Sequence, residues 1–374
     1  MSDINEQLRR LRNRRVGSDR KDSISPEAYN EIIAKSLYSE SWETRGGGKP
    51  HTKYAIGAMQ EVDKHYTRIS VETAKRVEAQ LEKRLANFGI SAQFRLQGSV
   101  PLNVHIRGVS DVDLVTLDTD FLIYATSGKK SQDGGYVSSE KSSLGVLLNL
   151  RNKSEIALRA AFPAATIVAG DKAINLCGAS LARPVDVVPA HWWDTIGYQE
   201  TFDESARGVY ILASKTSETL NNLPFTHIKK ISDACDNTFG GMRKAIRLCK
   251  NVKADAELDG EEIQLSSYDI AATMYHADIG ALRLGSIYEL SILSETQRHL
   301  DFLTVNEDRA KILWVPDGSR LIFNTPEKLA ALRRLSIRLD DLLRKVANEN
   351  LGPYNSRPID TLPQGRDLVT ALML

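Results

Sequence analysis

Three acids and a Gly-Ser pair give this chain of 374 residues the means for phosphoryl chemistry. Gln97-Gly98-Ser99 is followed, after eleven residues, by Asp111-Val112-Asp113-Leu114, and much later by Val185-Asp186-Val187-Val188. Asp111-Val112-Asp113-Leu114-Val115 reads as a strand, because the residues between and after the acids are apolar and mostly β-branched. Strand side chains alternate with a period of two, so Asp111 and Asp113 are expected on one face and Val112 and Leu114 on the other. Arg183-Pro184-Val185-Asp186-Val187-Val188-Pro189 reads as a second short strand with one acid in its middle. If the two strands lie side by side, three carboxylates meet. Like charges repel and resist burial, and a divalent cation relieves both penalties. Mg²⁺ takes hard oxygen ligands and keeps waters and phosphates in its shell, and Mn²⁺ is the alternative ion. Two such ions about 4 Å apart can activate an attacking hydroxyl and stabilise leaving pyrophosphate. Gly98 and Ser99 follow Gln93-Phe94-Arg95-Leu96, a short alternating strand. A glycine there lets the backbone approach a ligand, and the Ser99 hydroxyl with the loop N–H groups can hold a terminal phosphate.

Taken singly, these pieces have ordinary readings, since an Asp-x-Asp is common in solvated turns. In this order, and in strand context, they resemble the nucleotidyltransferase superfamily: Gly-Ser, a spacer, Asp-x-Asp, then a distant third Asp on a strand. The later sequence narrows the resemblance. Residues 241–250 read as a helix with Met242, Ile246 and Cys249 on one side. Leu265-Ser266-Ser267-Tyr268-Asp269-Ile270 follows, with a serine able to cap the next helix. This is similar to the helical half of the oligoadenylate synthase and cyclic GMP-AMP synthase group. Its bacterial relatives, the CD-NTases, make cyclic di- or trinucleotide signals in anti-phage (CBASS) defence. The resemblance implies an α+β fold, a DNA polymerase β-like palm with a mixed sheet plus a helical C-terminal lobe. It implies catalytic and metal-holding roles for Asp111, Asp113 and Asp186, and a phosphate loop at Gly98 and Ser99. Lys250 would contact the triphosphate, Ser267 a phosphate, and Tyr268 would stack on the nucleotide. The residues themselves leave alternatives: Lys250 as a solvated lysine with Lys244 or Arg247 in its role, Ser267 as a cap only, and Tyr268 as a packing residue. The implied substrates are ATP or other nucleoside triphosphates. A downstream effector would bind the product rather than this chain. Transfer to an RNA end or a small molecule, a linear oligonucleotide product, and a catalytically dead nucleotide sensor are the competing readings.

Composition sets bounds. The chain is 42% hydrophobic and 26% charged, enough for two lobes. It has no long apolar run, so no membrane span is expected, and no hydrophobic leader follows Met1-Ser2-Asp3. Cys177, Cys235 and Cys249 have no paired spacing, which argues against a zinc ribbon or disulfide framework and for a reducing cytoplasm. A net charge of +1 argues against long duplex nucleic acid as a partner.

The elements must position these groups. Residues 1–50 are expected to be a flexible arm carrying Arg9, Arg10, Arg12, Arg14 and Arg15, with a short helix over 25–37 and a Gly46-Gly47-Gly48 linker. Residues 51–202 are expected to form the palm. Its amphipathic helix over 68–88 carries Val71, Ala74, Val77, Leu81, Leu85 and Phe88 and stops at Gly89. In the resembled group such a helix spans the back of both lobes. A mobile loop over 127–143 near the metal site, a helix over 144–161 and strands near 166–168 and 173–176 complete a sheet of four or five strands. Residues 203–374 are expected to be mainly helical, ending in a helix over 326–348, with the active site in the cleft between lobes. His105 and His191 are candidate bases, Trp192-Trp193 a packing pair between lobes, and Arg107 and Arg183 candidate phosphate partners.

Overall fold

The protein is described by a computed structural model over residues 3–352 and 358–373. Seven strands form one sheet: β1 (Ala92–Gln97), β2 (Val112–Tyr124), β3 (Thr166–Ala169), β4 (Ile174–Cys177), β5 (Val185–Asp194), β6 (Gly208–Ala213) and β7 (Glu218–Asn222). The main order is β1-β2-β5-β4-β3. β2 and β5 are parallel, and every other pair is antiparallel. One edge of β5 is shared between two partners. β4 pairs with it from Val185 to Val187, and β6 from Ala190 to Trp193. Pro189, which has no N–H to donate, falls in the gap between them. The sheet is thus larger than expected, because the β6–β7 hairpin after residue 203 continues the palm before the chain turns helical. Thr219 and Asn221-Asn222 carry too little apolar pattern to announce a strand.

The helix Lys64–Ala86 packs Val77, Leu81 and Leu85 against Leu114 and Val187 of the sheet, beside Leu150 and Leu158 of the helix Ser143–Ala161. Gly89, at φ +71, lets the chain turn back after the first of these. This helix stays on the palm. The helix before it, Pro50–Met59, belongs instead to the second core, where its Tyr54, Ala55, Ile56, Ala58 and Met59 are buried. That core is built from the helices Gly241–Leu258, Ser291–Val305 and Pro326–Glu349. The last of these buries Leu332, Leu335, Leu339, Leu342 and Val346, as the leucine stripe predicts.

Two expectations are overturned. The first concerns the arm. Ile4–Val16 is a helix and the arginine run is built into the molecule, while the helix expected over 25–37 is present as Pro26–Ser36, capped by Ser25. Arg14 is buried, gives both terminal nitrogens to Asp255 at 3.0 and 3.1 Å, and gives Nε to Asn251. Arg15 is buried against Glu40 and the carbonyls of Gly57, Gln60 and Glu61. Arginines read as a solvated tail because their partners lie far along the chain. The second concerns residues 127–143, which contain a helical turn, Lys129–Gln132. Tyr136 stacks on Tyr124 at 4.1 Å and donates its hydroxyl to Asp194 at 2.7 Å, and Gln199 accepts from Ser131 N. The loop follows the far end of β2, about 35 Å from Asp113 at some 3.3 Å per residue.

Candidate active site

Strand register assembles the site. Gln97 of β1 stands opposite Asp113 of β2, Asp113 opposite Asp186 of β5, and Asp186 opposite Asn175 of β4. In-register neighbours point to one face, so a polar row crosses four strands whose other face is apolar. Asp111 lies just before β2 and two residues from Asp113.

The acids are electrostatically crowded. Burial pushes the Asp113 carboxyl up to about 7, and the charges of Asp186 and Asp111 push the same way. Burial also raises Asp186, opposed by the Asn175 amide, which donates to Asp186 Oδ1 at 2.6 Å. Asp111 Oδ1 accepts from Arg20 Nη1 at 2.6 Å. With two of the acids drawn to separate partners, no three His, Cys, Asp or Glu side chains among the described residues are gathered tightly enough to hold a metal ion. The donor set nevertheless fits Mg²⁺ or Mn²⁺. It offers hard carboxylate oxygens, and at Asp113 burial, with the charges of Asp186 and Asp111 added, disfavours ionisation, a penalty that a cation would relieve.

Gly98 explains itself. Its φ is +81, and a Cβ built on it would stand 2.1 Å from Asp113 Oδ2, so only glycine fits between the loop and the acid. The loop then turns, with Asn103 N donating to Val100 O and Val104 N to Ser99 O. Its next three carbonyls are taken in order by one helix face. Arg243 Nε donates to Leu102 O, Arg247 Nη1 to Asn103 O and Lys250 Nζ to Val104 O, at 3.2, 2.7 and 2.8 Å. Residues spaced by four and three lie on one side of a helix, which is why these three cations make a ladder. Lys250 is therefore buried beneath the loop rather than open to the cleft. Burial, then Arg107, Arg247 and Lys253, lowers its ammonium to about 7, against the pull of Asp113. Lys244, the other candidate, is held by Glu289.

A cleft of about 170 Å³ opens beside the acids. Gln97, Gly98, Ser99, Asp113 and Asn222 line it from the sheet and its loops, and His227, Ser267 and Tyr268 from the helices. Ser266, not Ser267, caps the helix Ser267–Tyr275, through a reciprocal pair with Asp269. Ser267 is left exposed on the cleft wall. The Tyr268 ring lies on the His227 ring, with centroids 3.7 Å apart, and Arg320 sits 5.4 Å from the same ring. Burial, helped by Arg320, holds His227 down at about 4, so it is neutral.

The remaining candidates are structural. His105 is buried against Thr67, and His191 is buried with Nε2 on Ser143. Trp192 packs between the sheet and Phe225 of the helix Pro224–Asn237, with Arg207 over its ring. Arg107 pairs with Asp19, and Arg183 is buried beside Tyr66. The sequence reading missed Asn175, His227 and Arg20. The alternation of β4 could have flagged Asn175 as a residue sharing the Asp186 face. Nothing local marks the other two.

No protein-family model matches the chain. A cyclic dinucleotide synthase CdnE of Yersinia aleksiciae is 43% identical over 365 residues, covering 94% of this chain and 93% of that protein. A c-di-GMP synthase of Capnocytophaga granulosa is 30% identical over 353 residues, covering 88% and 95%. Among solved structures, a STING-associated CdnE c-di-GMP synthase from Flavobacteriaceae sp. superposes with a TM-score of 0.72 at 23% identity, over 94% of this chain and all of that one, which speaks to the fold. Near-complete coverage at these identities, on a polymerase β-like palm with its acid row, means that the chain belongs to the CD-NTase family of nucleotidyltransferases.

Proposed function

We propose that this enzyme joins ribonucleoside triphosphates into a cyclic dinucleotide with release of pyrophosphate, as a signal read by a downstream effector in anti-phage defence. The observation that carries the reading is the register of Asp113 against Asp186, with the Gly98–Ser99 turn closed over Asp113. Asp111 and Asp113 are assigned to two divalent cations, Mg²⁺ or alternatively Mn²⁺, and Asp186 to the ion nearer the attacking hydroxyl. When bound, those ions offset the charge of acids and phosphates and favour ionisation of the hydroxyl. The chain's own part is placement. Gly98 and Ser99 offer backbone N–H groups and a hydroxyl to the triphosphate, with Ser267 facing them across the cleft. Lys250 and Arg247 hold the loop carbonyls, so they act by positioning it rather than by reaching phosphate. Tyr268 offers a stacking surface once His227 moves off its ring. The apolar cleft wall excludes water that would otherwise compete as nucleophile.

The relatives' names make GTP the first substrate to test, with ATP, CTP and UTP beside it. The test incubates the full chain with these triphosphates and Mg²⁺ or Mn²⁺, and reads pyrophosphate and phosphatase-resistant products by mass spectrometry. A cyclic dinucleotide is expected, absent in Asp186→Asn with the fold intact. An Asp186→Asn enzyme at full speed would sink the assignment, and linear or RNA-linked products would move it to another acceptor.

A further inference from the structure

The N-terminal segment reaches the acids. Between the helices Ile4–Val16 and Pro26–Ser36 the chain runs as a strap along one rim of the site. Both ends are tied. Gly17, at φ +88, lies against Val109, and Gly108 N donates to Arg14 O at 3.0 Å. At the other end Ser25 N donates to Leu181 O at 2.9 Å and Gly178 N to Ser23 O at 3.1 Å. The helical turns of the strap break at Arg20, with φ −131 and ψ 35. There the guanidinium meets Asp111 at 2.6 Å, with about a third of the Arg20 side chain still exposed. Arg107, the neighbouring guanidinium, is occupied by Asp19 at 3.1 Å. Among the described residues, Arg20 is the one cation that ion-pairs with any of the three acids.

We propose that Arg20 is an internal counter-cation of the metal site: its guanidinium and a divalent ion compete for Asp111, and loading the metal releases Arg20. The proposal rests on the reading of Asp111 as a metal ligand. Both cations need the same carboxylate oxygens. A divalent ion carries twice the charge and draws on all three acids, whereas Arg20 reaches one. A partly exposed ion pair is weak, so the exchange runs in favour of the metal. Because the strap is anchored at both ends, release needs only rotation of a long side chain. While Arg20 is docked, only the fraction of molecules with Asp111 open can take a metal, and the apparent affinity falls by that fraction. Asp111 thereby has a counter-charge at rest.

Mn²⁺ titration of the nucleotide-free full chain, followed by electron paramagnetic resonance, tests this. Arg20→Gln is expected to tighten Mn²⁺ binding roughly two- to fivefold, the range of a partly exposed ion pair. Arg9→Gln, the same charge change at a remote point of the arm, is expected to leave it unmoved. Unchanged or weaker binding in Arg20→Gln overturns the proposal. Should that variant fail to fold, wild type still decides: saturating Mg²⁺, a diamagnetic ion, is expected to speed hydrogen exchange of the Arg20 guanidinium N–H groups read by NMR, and unchanged exchange there overturns it. Asp111→Asn separates the two readings. Mn²⁺ binding that survives in Asp111→Asn defeats the metal-ligand reading itself. Binding lost there but not tightened in Arg20→Gln defeats only the role given to Arg20.

Discussion

Gly98 has no room for a side chain, and the obstacle is the carboxylate the chemistry needs. A methyl at this position meets Asp113 Oδ2 at 2.1 Å and sits on a backbone with φ +81. Gly98→Ala should therefore push Asp113 out of line with Asp186 and lower turnover on the order of 10²-fold, the usual effect of an ångström-scale misplacement. The melting temperature should move little, because the strain is confined to one exposed turn. Product formation in a Gly98→Ala variant that melts like wild type checks this, and near-normal turnover would refute it. At this scale the sequence was most readable. Acid spacing on strands fixes which carboxylates share a face, and β2 and β5 set Asp113 beside Asp186 as their alternation requires, with Asp111 just outside β2. Lys250 was not readable in the same way. Whether a helix lysine meets phosphate or a carbonyl depends on a loop from the other lobe, and Val104 O is what it meets.

Elements with strong periodicity were equally legible. The helices Lys64–Ala86 and Pro326–Glu349 follow their apolar stripes to within a few residues at each end. Elements held by long-range polar contacts were not. The helix Ile4–Val16 carries so many arginines that its sequence resembles a solvated tail, yet Arg14 is buried on Asp255, and Tyr54 also donates to that carboxylate. Removing one partner of a buried ion pair leaves the other charge stranded. Arg14→Met should therefore destabilise the fold by about 3–5 kcal/mol. Chemical denaturation of the variant against wild type measures it, and a loss under about 1 kcal/mol would mean that Asp255 finds another partner. The β6–β7 hairpin escaped notice for a different reason. Its outer strand is polar and short, and edge strands of that kind carry little hydrophobic signal.

The whole molecule buries several neutral histidines, and this sets how it meets acid. His299 is held at about 4 by burial, against its hydrogen bond to Thr273 O at 3.0 Å. Its folded value lies below the ordinary 6.5, so the unfolded chain binds the extra proton. Its stabilising contribution is whole above pH 6.5, is lost as pH falls from 6.5 toward 4, and changes no further below that. The slope in that window is about 1.4 kcal/mol per pH unit. His299→Gln, which keeps a donor for Thr273 O, should flatten the measured dependence of unfolding free energy on pH by close to one proton. An unchanged slope would place the His299 proton elsewhere. The ladder of Arg243, Arg247 and Lys250 has a consequence of its own at this scale. It makes the loop after Gly98 ride on the helix Gly241–Leu258, although β1 makes it part of the sheet. The helix is then a lever with its short arm at the acids. Its other end carries Asp259, gripped by Arg10 and Arg338, so a pull at that distant surface would be felt as a shift of Gly98 against Asp113.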